Sequence, residues 1–197
     1  MRRWIAALLT IFMAVNLMTP ALFAQETLSD AAWRANIEQL KAGILRLHPD
    51  PFRHVSEDVF HASIDSLLDD IPDLSDDENM VRIMQIAASL RDGHSALWPT
   101  AQGNYSIHFY PVLFHSFEDG VYVVDAAPQY EDTIGARLVS VGGVDADAAF
   151  DMLRASASGD NSHTLTVAIQ MNVVEVLRGA GIINDEPNYV LELPDGQ

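Results

Sequence analysis

The stretch SDDENMVRIMQIAASLRDGHSALWPTAQGNYSIHFYPVLF, residues 75–114, decides the fold class. Its first half has a helical period. Ser75 and Glu78 stand at capping-box spacing, with Asp76 and Asp77 in the first turn, where negative charge meets the positive end of the helix dipole. Met80, Val81, Ile83, Met84, Ala87 and Leu90 recur at the three- and four-residue intervals of a buried helix side. This pattern predicts a helix ending near Gly93. Residues 99–104 read as a linker. Ile107 and Phe109 then alternate with Ser106 and His108, the two-residue period of a strand, and after Pro111 the run resumes over 112–114. The chain passes here from helices to strands, which predicts an α+β fold.

Upstream lie two more helical segments. Ser29 caps a helix running to Leu47, with Ala32, Ile37, Leu40, Ile44 and Leu47 near one face. His48-Pro49-Asp50-Pro51 ends it, because each proline disfavours helical geometry in the residue before it. Ser56 opens a second helix to about Leu68, with Phe60, Ile64, Leu67 and Leu68 inward, and Pro72 closes that region. Together the three predict a helical bundle.

Downstream, Asp119-Gly120 is a hairpin signal before a strand over 121–124. Arg137 to Val141 reads as a strand ended by Gly142-Gly143, and Asp145 starts a helix to about Arg154. Residues 158–161 are a loop, 165–177 a helix and 190–193 a strand. Pro194-Asp195-Gly196 then announces a turn. The expected returning strand would lie beyond Gln197, so the chain reads as the front part of a longer protein.

The N-terminus reads as an export signal. Arg2 and Arg3 precede an uncharged, mostly apolar run from Trp4 to Val15, followed by small residues at Ala21 and Ala24. The run is shorter than the roughly 20 residues that span a bilayer. Cleavage after Ala24 is expected. The mature chain would be periplasmic or secreted, with no membrane association after cleavage. The expected organisation is a signal peptide at 1–24, a helical domain at 25–103 and a mixed strand–helix region at 104–197.

The chain of 197 residues carries 28 acidic against 11 basic side chains, a formal net charge of −17. Such a surface repels phosphate backbones and anionic lipid heads, which argues against nucleic-acid binding. There is no cysteine, so disulfides, cysteine nucleophiles and cysteine-based zinc sites are excluded.

His94, in Arg91-Asp92-Gly93-His94-Ser95, is the candidate catalytic residue. A histidine at a helix end titrates near neutrality and suits a general base; it equally suits a cap on the last helical carbonyls. Gly93-His94-Ser95-Ala96-Leu97 fails as a nucleophile elbow, which needs glycine where Leu97 stands. His48, Asp50 and His54 match no familiar metal spacing and read as an interhelix bend. The acids between Asp69 and Glu78 lack the order of a calcium loop and read as helix-start charges and a solvated loop. His108 and His115 read as solvent-edge positions on or beside strands. No metal site or cofactor is expected.

Five segments in order resemble the tail-specific, or C-terminal-processing, serine peptidase family. The likeness is to its tricorn-like branch and to interphotoreceptor retinoid-binding-protein-like modules. The segments are HPDPFRHVS (48–56), LRDGHSAL (90–97), FEDGVYVVDAAPQYED (117–132), GARLVSVGGVDADAAFDML (135–153) and SGDNS (158–162). The resemblance implies a helical N-terminal domain, a β-rich, partly PDZ-like region and a C-terminal α/β catalytic domain. That last domain would bring the nucleophilic serine and oxyanion hole. In tricorn-like members a histidine from a motif similar to RDGHS activates that serine, so His94 is the implied general base. Where those members carry a serine before the histidine, this chain has Gly93.

No segment resembles the catalytic serine region. Lys41, the only lysine, lies in the first predicted helix and cannot form the serine–lysine dyad of the C-terminal-processing branch. The implied function is the N-terminal portion of an exported serine endopeptidase, truncated before its catalytic domain and inactive alone. Its partners would be that missing domain and a peptide or protein substrate, whose binding residues are unknown. The alternative is a complete non-enzymatic module binding a peptide or apolar ligand.

Overall fold

A computed structural model describes residues 27–99, 107–164, 169 and 171–194. The expected signal peptide, most of the 99–104 linker, Ser106, residues 165–168 and Asp195-Gly196 lie outside the described residues.

Three helices come first, each with a serine N-cap. Helix α1 spans Asp30–Leu47, α2 spans Glu57–Asp70 and α3 spans Asp76–Ala88. The Ser29, Ser56 and Ser75 hydroxyls accept from the backbone N–H three residues on, which satisfies donors that the first turn leaves unpaired. At Ser75 the box is reciprocal, since the Glu78 carboxylate accepts from the Ser75 N–H at 2.8 Å. Helix α1 stops at His48, which is extended ahead of Pro49. Trp33, Ile37, Phe60, Ile64, Leu67, Ile86 and Leu90 form a first buried cluster among the three helices.

The rear of the chain is one antiparallel sheet with helices against its inner face. Strands β1 (Val112–Phe117) and β2 (Gly120–Ala126) form a hairpin with a register shift between Leu113 and Phe114. Strand β3 (Arg137–Val141) turns through Gly142 and Gly143 into the short β4 (Val144–Asp145). Both glycines have positive φ, 60° and 83°, as a tight two-residue hairpin loop requires. A Cβ on Gly142 would also lie 2.5 Å from the Ile182 carbonyl oxygen.

Asp145 caps helix α4 (Ala146–Arg154), accepting from the Asp147 and Ala148 N–H groups. Helix α5 (Val174–Gly179) and strand β5 (Tyr189–Glu192) follow. Val121, Leu138, Val141, Phe150, Leu153, Val174 and Leu177 form a second buried cluster between sheet and helices.

Helix α3 serves both clusters. Val81 and Met84 enter the second, while Ile86 and the following Leu90 enter the first. Gly179 lets α5 approach closely, for a Cβ there would sit 2.1 Å from the Asp77 carbonyl oxygen. The same junction carries an ion pair, Arg178 Nη1 to Asp77 Oδ2, at 2.7 Å.

The α+β reading agrees with this architecture, and four local readings need correction. Helix α3 ends at Ala88, not near Gly93. The strand expected around 106–109 reduces, in its described part, to a single bridge between Phe109 and Val173. Of the helix expected over 165–177, residues 165–168 and 170 lie outside the described residues, Val173 makes that bridge and is extended, and residues 174–177 fall in α5. Strand β5, expected to await a returning strand, pairs with β3 from Arg137↔Glu192 to Val141↔Tyr189.

Candidate functional site

The site is built where α3 gives out. Leu90 is 2 % exposed and anchors the chain in the first cluster. Arg91 then takes a left-handed φ of 51°, and the backbone leaves the helix axis. A hydrogen-bonded turn follows at Gly93-His94, closed by the Ser95 N–H donating to the Asp92 carbonyl at 3.0 Å. Gly93 has a further use. Its N–H donates to Asp160 Oδ1 at 3.0 Å, and a Cβ would lie 3.0 Å from Asp160 Oδ2.

Asp92 organises the loop. Its Oδ1 accepts from the His94 N–H at 3.0 Å, and its Oδ2 accepts from the Ser95 hydroxyl at 2.7 Å. The Ser95 hydroxyl, then the His94 N–H, hold the Asp92 carboxyl below the usual aspartate range. His48, just past α1, places Nε2 3.2 Å from Asp92 Oδ2, too oblique for a hydrogen bond. Its Nδ1 accepts from the Asp50 N–H at 3.1 Å, so in the neutral ring the proton sits on Nε2 and faces the carboxylate.

His94 projects outward. Its side chain is 95 % exposed, and Nδ1 lies 3.6 Å from Asp92 Oδ1. The carboxylate is thus beside one ring nitrogen, and Nε2 is left for a partner. Ser95 cannot be that partner in this arrangement, because its hydroxyl is committed to Asp92. His94 does not cap α3, since the helix has ended six residues earlier.

Three sequence segments meet here. His48 brings in the first, Asp92 to Ser95 the second, and residues 158–160 the third. Ser158 Oγ donates to the Ser95 carbonyl at 3.3 Å, and Asp160 holds Gly93. Beside this loop runs a cleft of about 600 Å³ between α1 and residues 87–97, with His48, Asp92 and Ser95 in its wall.

Other singled-out residues have local duties. Among the described residues no three acidic or histidine groups are arranged to hold a metal ion. Asp70 pairs with Arg82, Asp76 accepts from the Trp33 indole at 2.6 Å, and Glu78 serves the capping box. His115 sits in β1 against the Phe117 ring.

Besides the Arg178–Asp77 ion pair, a second pair was missed by sequence reasoning. Glu175 is 2 % exposed and binds His108 twice, through the backbone N–H at 3.0 Å and the ring Nδ1 at 2.5 Å. Its partner lies 67 positions away, so no local pattern marks it.

No protein-family model matches the chain, and no curated protein matches it.

Proposed function

We propose that this chain is the N-terminal portion of an exported serine endopeptidase of the tail-specific type and that His94 is its general base. Helices α1–α3 are then the helical bundle of that family's front domain, and the sheet is its partly PDZ-like region. One observation carries the reading: three separate segments of the resemblance, at 48, 92–95 and 158–160, converge on a single loop that holds an exposed imidazole.

The chemistry follows from that placement. A neutral imidazole with Nδ1–H toward Asp92 has a free lone pair on Nε2. That lone pair takes the proton of a serine hydroxyl as the oxygen attacks a peptide carbonyl. The resulting imidazolium is stabilised by the Asp92 carboxylate, which stays ionised because Ser95 and the His94 N–H hold its charge. The 3.6 Å gap closes to a hydrogen bond once substrate and nucleophile are in place. The serine and the oxyanion donors come from polypeptide outside residues 1–197, exported with this chain after cleavage near Ala24.

A fluorophosphonate probe, which forms a covalent bond with activated serines, tests this on the full gene product. Labelling is expected at a serine outside 1–197, located by mass spectrometry, and none on residues 25–197 expressed alone. Labelling within 25–197, or an open reading frame that stops at codon 197, would contradict the proposal.

A further inference from the structure

The cleft between α1 and the loop after α3 has a composition that selects a ligand. Leu40, Ile44, Leu90 and Leu97 supply apolar walls. Asp92 is the sole formally charged side chain among the lining residues, and the remaining polar groups are His48, Ser95 and two neutral amides, Asn36 and Gln39. A volume of about 600 Å³ lies within the range of small-ligand sites.

Gly43 points to the same cleft. It lies in the interior of α1, where glycine costs a helix roughly 1 kcal/mol relative to alanine. Elsewhere in the chain helical glycine has a packing reason, as at Gly179. At Gly43 an added Cβ would meet nothing within 4 Å. Packing does not demand a glycine here. Its effect is to leave room in the cleft wall.

We propose that this cleft binds the free amino terminus of a peptide that begins with aliphatic residues. The ammonium pairs with Asp92. The carboxylate accepts from the His94 N–H and the Ser95 hydroxyl, while His48 Nε2 at 3.2 Å and His94 Nδ1 at 3.6 Å stand beside it without a hydrogen bond, so of its roughly four acceptor directions some remain for the ammonium. The first side chains pack against Leu40, Ile44 and Leu97. The peptide amides face Asn36 and Gln39, exposed side chains in the cleft's lining that can hydrogen-bond a peptide but not a plain alkyl chain. A net charge of −17 favours cationic over anionic ligands at every approach. The inference shares Asp92 with the peptidase reading but needs neither the His94 ring nor a nucleophile, and its readout is binding, which succeeds or fails whether or not the protein hydrolyses peptides.

Isothermal titration of the full gene product with leucyl-leucyl-alaninamide tests it, alongside the N-acetylated peptide and n-octylammonium. The free peptide is expected to bind. Acetylation, which removes the charge, is expected to weaken binding at least about tenfold, as loss of a charged hydrogen bond does. Asp92→Asn should weaken it comparably. Gly43→Leu should abolish binding while the helical circular-dichroism signal is retained, because the new side chain fills the cleft and suits the helix. Equal binding of the acetylated peptide, binding unchanged in Gly43→Leu, octylammonium binding as tightly as the peptide, or no peptide binding at all would each overturn the assignment.

Discussion

At the scale of single residues, Asp92 is the centre of the loop, and its chemistry is testable by pH. Its folded-state pKa is depressed, chiefly by the Ser95 hydroxyl. A depressed carboxyl contributes stability that is present above the unfolded pKa, about 3.9, and is lost as pH falls through the lower folded value. The side-chain carboxyl carbon resonance of Asp92 should therefore hold its position down to about pH 4 and move only below it. A midpoint at or above the ordinary aspartate value would contradict the arrangement. The sequence marked His94 through its motif but not the role of Asp92, which depends on an aspartate folding back onto its own loop. Gly93 was legible as special for a reason that turned out different. A glycine suggests a left-handed residue; the chain does turn at Gly93-His94, but the left-handed residue is Arg91 and Gly93 makes room for Asp160. Glu175 with His108, and Arg178 with Asp77, were not legible at all. Those partners lie 67 and 101 positions apart, and only the packing of α5 brings them together.

At the scale of elements, the helix starts were the most legible features, because a cap is decided within four residues of chain. Ser29, Ser56 and the Ser75–Glu78 box each mark a helix start. Helix ends and short strands depend on distant contacts and were less so. Helix α3 stops at Ala88, with Leu90 beyond it still buried in the first cluster, and Val173 is held extended by its bridge to Phe109. Two helical glycines give opposed predictions. Gly43→Ala meets open space and should stabilise the protein by roughly 0.5–1 kcal/mol. Gly179→Ala would drive a Cβ into the Asp77 carbonyl and push α5 from α3, which should cost about 1–3 kcal/mol or more. Urea denaturation of the two variants reads both signs. A neutral Gly179→Ala would mean that α5 and α3 are not so closely packed.

At the scale of the whole molecule, α3 joins a helical front to a sheet-based rear, with one buried cluster on each side. The α+β class was legible from the change of period between residues 75 and 114. The pairing of β5 with β3 was not, because the strand's local sequence points only to a turn after it. The loop carrying His94 sits where the two halves meet, held by α1 through His48 and by the rear through Ser158 and Asp160. That position suits a base offered outward to a second body of protein. The most direct measurement is the rate of peptide hydrolysis by the full gene product and its His94→Ala variant at equal folded concentration. Removing a general base predicts a fall in kcat of about 100-fold to 10,000-fold with the fold retained; an unchanged rate would contradict the role assigned to His94.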